Sequence, residues 1–240
     1  MDYNTQKNLL KIVKDSYDAI AEEFNRTREK HSEPLWSGLV KIAKKIKAGD
    51  KILDVGCGNG RLLKIIGDKD IQYLGVDNNE KLLSISKKKL PKYKFVLGDI
   101  LELSKIPDIN FNYIFCIALL HHLPGKDLRV AALKQLKNKV APDGKIIITV
   151  WNLWTQVKFR QLILKFFFLK LIKKNLPAQA GKMDFGDILF DWKNSRGEVL
   201  SQRYYHAFIK IGLKKIAKKA GLKIEKIYKD RFNYYLILKK

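Results

Sequence analysis

Residues 51 to 60, Lys-Ile-Leu-Asp-Val-Gly-Cys-Gly-Asn-Gly, run a short apolar strand straight into three glycines at alternating positions, Gly56, Gly58 and Gly60. A chain that must turn tightly after a strand, and let a ligand come close without a Cβ in the way, needs glycine there. A helix starting near Arg61 would aim its unpaired N–H groups at the same place. Together these residues predict a nucleotide-cofactor loop. Its spacing is not that of dinucleotide folds, where G-x-G-x-x-G puts the third glycine one residue later.

The surrounding pattern supports that reading. A second apolar run, Gln72 to Val76, ends in Asp77, 17 residues beyond Gly60, where a carboxylate can accept both hydroxyls of a ribose. A third, Tyr93 to Leu97, ends in Gly98-Asp99-Ile100. Strands near 51–55, 72–76, 93–97, 111–118 and 145–151 alternate with helices near 61–67, 79–90 and 126–140. Repeated βαβ units predict an α/β fold with a doubly wound, mostly parallel sheet, which collects ligands outside the carboxyl ends of its strands. A helix from Ala207 to Ala220, stopped by Gly221, leads into two last strands at 223–228 and 232–238. Those two would add an antiparallel hairpin and bring the sheet to seven strands. Ahead of the sheet, helices from Gln6 to Phe24 and from Leu35 to Lys47 make residues 1–48 an N-terminal helical cap on a domain of residues 49–240. Residues 152–203 interrupt the alternation after the fifth strand and would lie over the carboxyl edge, where an acceptor enters. Within them Phe159 to Ile172 reads as a helix apolar nearly all round, packed on the core or a partner or lying on a membrane surface.

Charge and cysteine usage narrow the class. The chain of 240 residues carries a formal net charge of +24, and residues 151–183 hold Lys158, Arg160, Lys165, Lys170, Lys173, Lys174 and Lys182 with no acidic residue. Such a balance favours polyanions, with RNA the first candidate and anionic membrane the second. Two cysteines, Cys57 and Cys116, suggest neither a disulfide framework nor a metal cluster and fit a reducing cytoplasmic setting. No apolar run reaches the roughly 18 residues of a membrane span.

The Asp54-x-Gly56-x-Gly58-x-Gly60 loop resembles the first motif of class I S-adenosylmethionine (SAM) methyltransferases. A narrower resemblance runs from about Tyr17 to Leu238. Tyr17-x-x-Ile20-Ala21-x-x-Phe24-x-x-Thr27-Arg28, Ile117-Ala118-x-x-His121-His122, Arg129-Val130, Val150-Trp151, Asp187-Ile188-Leu189-x-x-Trp192 and Arg203-Tyr204-Tyr205-His206-x-Phe208 look like the tRNA carboxymethyluridine methyltransferases. These comprise the eukaryotic wobble-uridine enzyme and the methyltransferase domain of the AlkB-type tRNA hydroxylase. The early Pro-Trp-Pro of that family reads Leu35-Trp36-Ser37 here.

The resemblance implies SAM bound by Asp54, Gly56, Cys57, Gly58, Gly60, Asp77, Asn78, Asp99, Ile100 and Ile117. It implies an acceptor site among Arg28, His122, Arg129, Arg203, Tyr204, Tyr205 and His206, with Arg28 first in line for the substrate carboxylate or an adjacent phosphate, and His121 either beside the methyl group or a cap or stacked core residue. The acceptor would be a 5-carboxymethyl-type uridine at the tRNA wobble position, esterified on its carboxylate. The partners would be tRNA rather than DNA and, as in eukaryotic relatives, a small zinc-binding activator protein, with no metal in this chain itself. Such an acceptor needs no general base, because a carboxylate with a pKa of about 4 is already ionised at neutral pH. Methylating C5 of uracil would instead need a free thiolate, which neither cysteine is placed to supply. A small-molecule or quinone-precursor methyltransferase, and a silent RNA-binding protein that keeps the fold, are the competing expectations.

Overall fold

The computed structural model describes residues 1–30, 37–171, 182–193 and 196–240. Seven strands form one sheet: β1 (Lys51–Val55), β2 (Gln72–Asp77), β3 (Lys94–Leu97), β4 (Phe111–Ile117), β5 (Val140–Trp151), β8 (Lys223–Lys229) and β9 (Asn233–Lys239), in the order β3-β2-β1-β4-β5-β9-β8. The first five are parallel, and β9 runs antiparallel between β5 and β8. The expected terminal hairpin is present. Successive residues of each strand bury on opposite faces: Leu53, Val55, Leu74 and Val76 enter one core cluster, and Ile52, Tyr73, Phe115 and Ile147 the other. A parallel sheet covered on both faces explains why β1 and β2 read as nearly unbroken apolar runs.

Helices α3 (Leu62–Ile66), α4 (Glu80–Lys89), α5 (Lys126–Lys139) and α7 (Lys210–Lys219) take the predicted places. Asn79 caps α4 by accepting from the Leu82 amide at 2.9 Å, and Gly221 follows α7 at φ +69, in the left-handed region that ends helices. Helix α7 starts at Lys210 rather than Ala207, because the Ala207 amide bonds the carbonyl of Gly186 at 2.8 Å.

Three parts of the fold differ from expectation. Helix α1 (Tyr3–Lys30) is longer at both ends than the predicted Gln6–Phe24. The predicted start of the second helix, Leu35-Trp36, lies outside the described residues. Helix α2 (Ser37–Ala43) ends early because the Lys45 and Ile46 amides turn to the carbonyls of Ile42 and Ala43 and tighten the chain into a turn. The segment 152–203, expected to hold a helix, holds α6 (Val157–Leu171) and also β6 (Asp187–Lys193) and most of β7 (Val199–His206), an antiparallel pair in register from Asp187 opposite His206 to Trp192 opposite Ser201, with a shift before Lys193. Helix α1 packs on this small sheet through Leu9, which is buried with Met183, Leu189 and Tyr204. No helix among the described residues is long and apolar enough to cross a membrane.

The chain leaves β1 toward β2 on one side and enters β4 on the other, so a crevice opens at the carboxyl ends of those strands. Helix α1 and the small sheet cover it.

Candidate active site

A cavity of about 690 Å³ fills this crevice. Its β1–β3 half is lined by Asp54, the glycine loop, Asp77, Asn78, Asp99 and Ile100; its β4–β5–β9 half by Ile117, His122, Trp151, Arg203, Phe232 and Asn233. Tyr17, Phe24, Lys7, Lys11 and Lys14 of α1 close one side.

The glycine pattern has a steric cause. Gly56 and Gly60 stand at φ +74 and +75, and a Cβ on them would lie 2.9 Å from Leu119 Cδ2 and 2.5 Å from Leu90 Cδ1. Four amides of the loop itself are taken up within the fold. Gly56 and Cys57 donate to the Val76 carbonyl, Gly60 to the Cys57 carbonyl and Gly58 to Asp77 Oδ2 at 2.8 Å. The loop is therefore tied to β2 rather than open as a phosphate cradle.

Three carboxylates line this half. Asp54, 2% exposed, accepts from the Tyr73 hydroxyl at 2.8 Å, and burial pushes its carboxyl up to about 7. Asp77 also accepts the Asn79 amide at 2.9 Å, and burial raises it against the pull of those backbone bonds. Asp99 accepts the Leu101 amide at 2.8 Å and a 3.4 Å contact from Asn78 Nδ2. The Gly58 and Asn79 amides take one Asp77 oxygen each, with the Asn78 amide beside them, and the carboxylate keeps a lone pair for a ribose hydroxyl. Satisfied loop amides and clustered carboxylates disfavour a pyrophosphate and suit a phosphate-free nucleoside with cationic groups. The residues present fit SAM, whose sulfonium and ammonium charges would offset Asp54. Burial raises the Cys57 thiol and pushes Cys116 up to about 12, so neither acts as a thiolate.

On the other half, His122 is 4% exposed and follows β4. Its Nδ1 lies 3.3 Å from the Tyr204 carbonyl, which can only accept, so the proton sits on Nδ1 and Nε2 accepts from the Tyr17 hydroxyl at 2.9 Å. Burial, then the Arg203 charge, lowers its pKa to about 3. Arg203 is 2% exposed, stacks 3.6 Å from the Trp192 ring centroid and gives Nη1 to the Tyr205 hydroxyl at 3.3 Å. Its Nε and Nη2 are buried and have no partner among the described residues.

Four residues expected at the acceptor lie behind the cavity wall instead. Arg129 gives Nε to the Leu123 carbonyl at 2.9 Å and Nη2 to Asp187 Oδ1 at 3.4 Å; Tyr204 and His206 bond the same carboxylate at 2.8 and 2.6 Å. Three donors converge on one buried carboxylate, so these side chains are spent on holding β6 and β7 to α5. Tyr205 is fully buried, sandwiched between Trp151 and Phe190 with ring centroids 5.0 and 5.1 Å away. His121 is a core residue, as one of its two readings had it: Nδ1 accepts from the Trp151 amide at 3.3 Å, and burial holds it neutral. Arg28 lies in the last turn of α1, and its side chain is outside those described. Sequence reasoning passed over Tyr17, Asp187, Trp151, Phe232 and Asn233 as site residues. Only Tyr17, Asp187 and Trp151 stood in the motifs that carried the resemblance.

Residues 52–144 match the methyltransferase domain family. The tRNA (carboxymethyluridine(34)-5-O)-methyltransferase of Schizosaccharomyces pombe is 26% identical over 234 residues, 93% of this chain and 94% of that protein. The ALKBH8 enzyme of the same name from Mus musculus is 30% identical over 148 residues; that match covers 62% of this chain and only 21% of the longer mouse protein. Among solved structures, a SAM-dependent methyltransferase from Methanosarcina mazei shares the fold at a TM-score of 0.66 and 17% identity, covering 83% of this chain and 96% of its own. A methyltransferase complex with the Haloferax volcanii Trm112 activator does so at 0.60 and 12%, covering 92% and 96%. Fold, loop and matched domain define the class: a Rossmann-like α/β enzyme of the class I methyltransferase type. The protein carries a SAM-dependent methyltransferase domain.

Proposed function

We propose that this protein methylates the carboxylate of a 5-carboxymethyl-type uridine at the wobble position of tRNA. The observation that carries the proposal is Arg203. A buried guanidinium without a counter-charge is costly, and Nε and Nη2 share the edge that meets a carboxylate in two parallel hydrogen bonds. An anionic acceptor would supply the missing partner, and the names of the relatives point to the same acceptor.

When bound, SAM would supply an activated methyl group to the carboxylate oxygen, a transfer that needs no proton to move. The residues need only position. Arg203 orients the carboxylate and leaves a lone pair for attack; Asp54 and Asp77 hold the donor; Tyr17, His122 and Trp151 wall the reacting centre from water. Neutral His122 adds no second cation to compete for the acceptor. Esterification removes the negative charge that Arg203 binds, which favours product release.

For tRNA, Lys7, Lys11 and Lys14 put a cationic stripe from α1 on the cavity wall, and Lys158, Arg160 and Lys165 stand exposed on α6. The remaining part of the basic segment, around Lys173 and Lys174, lies outside the described residues. A small activator protein is proposed on the strength of the Haloferax relation. A membrane-borne small acceptor is the second reading, favoured by exposed Phe167, Phe168 and Phe185 beside α6. Incubating the protein with SAM and an anticodon stem-loop bearing 5-carboxymethyluridine, with and without the activator, separates the two. An alkali-labile methyl ester is expected. A methyl that survives mild alkali, or turnover of a quinone precursor with none on RNA, overturns the proposal.

A further inference from the structure

Asn233 is the first residue of β9 and pairs across the sheet with Trp151, which puts it at the carboxyl edge beside the acceptor half of the cavity. It is 3% exposed. Its side chain sits against the Tyr235 hydroxyl, which already donates to Asp230 Oδ2 at 2.7 Å and so can only accept from the Asn233 amide nitrogen. That leaves Oδ1 as the free end of the carboxamide. Oδ1 is buried and has no partner among the described residues. Buried acceptors without donors are rare because they lose water and gain nothing.

The turn that presents Asn233 is held on every side. Asp230 Oδ1 accepts the amides of Phe232 at 2.7 Å and Asn233 at 2.6 Å. From the start of the 152–203 segment, the Asn152 amide donates to the Phe232 carbonyl at 2.7 Å and the Thr155 hydroxyl to the Arg231 carbonyl at 2.6 Å. A site this constrained keeps its acceptor in place before any ligand arrives. Beside it Phe232, 51% exposed, lines the same cavity and offers a ring face for a base to stack on.

We infer that Asn233 is a specificity-determining residue that reads the pyrimidine ring: its Oδ1 accepts the N3–H of a uracil-type imide while Arg203 holds the carboxylate on the ring substituent. The inference rests on the proposed carboxyl methylation. Uracil carries a donor at N3 and cytosine an acceptor, so a fixed carbonyl oxygen admits the first and repels the second. Phe232 stacks on the base that has left the anticodon loop.

The test uses three stem-loops that differ at one nucleotide: 5-carboxymethyluridine, its N3-methyl derivative and 5-carboxymethylcytidine. Wild type should favour the first by roughly a hundredfold in kcat/KM, because a site built to bond a polar group rejects analogues that lack it. Asn233→Ala should lose about tenfold on the uridine and bring the ratio to cytidine near one, with SAM affinity and melting temperature kept. Tyr235→Phe, which frees the amide to rotate without emptying the site, should lower the same ratio part of the way, and it decides the matter if the alanine variant does not fold. A uridine preference that survives both substitutions, or wild-type turnover of the cytidine substrate at an equal rate, overturns the inference and leaves the carboxyl methylation standing. No ester on any of the three with wild type overturns both.

Discussion

The Tyr17 hydroxyl and His122 Nε2 lie 2.9 Å apart, joining the middle of α1 to the chain that leaves β4. The Tyr204 carbonyl on Nδ1 fixes the tautomer, so the imidazole is a neutral acceptor held from both sides. With its pKa lowered to about 3, it stays neutral at any pH where the protein works. It is a wall and a hinge pin for α1, and not a general base. That suits an acceptor that arrives already ionised.

Tyr17→Phe removes this bond and leaves the ring. The loss of one hydrogen bond of about 1 kcal/mol should reduce methyl transfer roughly fivefold. SAM affinity should not move, since Tyr17 faces the acceptor half. Single-turnover rates alongside calorimetry of SAM binding check both. A larger loss in SAM affinity than in rate would place Tyr17 at the cofactor.

The carboxyl of Asp54, raised to about 7 by burial, makes cofactor binding pH-dependent. Its folded pKa lies above the unfolded value, so its contribution to stability is present below about pH 4 and is lost as pH rises through about 7. Above that point a bare carboxylate is buried, and a cationic ligand relieves it. The rise in melting temperature caused by SAM should therefore grow between about pH 6 and 8 in wild type, more than in Asp54→Asn. Parallel curves for the two proteins would remove Asp54 from the cofactor's charged end.

The sheet was legible because buried parallel strands announce themselves as apolar runs, and because Gly56 and Gly60 stand at positive φ where a Cβ would collide with Leu119 and Leu90. The acceptor side was legible only as a set of residue types. Arg129, Tyr204, Tyr205 and His206 have the chemistry of a substrate site, yet whether a side chain at the edge of a two-stranded sheet faces the cavity or its backing depends on register. The pairing of Asp187 with His206 decides it, and that pairing joins residues on strands the alternation of apolar runs did not reveal. Asn233 escaped notice for a related reason. A turn asparagine looks the same whether its amide caps the chain or, as here, the backbone is capped by Asp230 and the amide is left over.

The lysines on the cavity wall should carry much of the salt dependence of RNA binding. Each phosphate contact contributes about 0.7 to 0.9 to the slope of log affinity against log salt. Changing Lys7 and Lys14 together to Glu should lower that slope by roughly 1.4 to 1.8, while Lys210 and Lys214 on α7 serve as controls of equal charge change. Equal effects from both pairs would mean that RNA meets the overall charge rather than this face.

Asp187 is the acceptor on which Arg129, Tyr204 and His206 converge. Asp187→Asn leaves the Arg129 cation buried without its counter-charge, a change that typically costs about 3–5 kcal/mol. Urea denaturation should show the loss in stability, and any fall in activity should vanish when rates are compared on the folded fraction. A full loss of activity at wild-type stability would make the network part of the chemistry.

Arg203 should behave in the opposite way. Without an acceptor it is a buried cation that, among the described residues, gives Nη1 to the Tyr205 hydroxyl and lies against the faces of Trp192 and Tyr17. Arg203→Met keeps the volume and removes the charge, so the apo protein should be as stable as wild type or more so, by about 1–3 kcal/mol. Ester formation should fall by a factor of roughly a hundred or more, because the carboxylate loses both its counter-charge and its bidentate partner. Arg203→Lys should recover little of the rate, since a single ammonium does not reproduce two parallel donors. Tm and kcat/KM measured on the three proteins give the answer directly: a methionine variant that is less stable and still active would mean that Arg203 serves the fold, and that the acceptor's charge is met elsewhere.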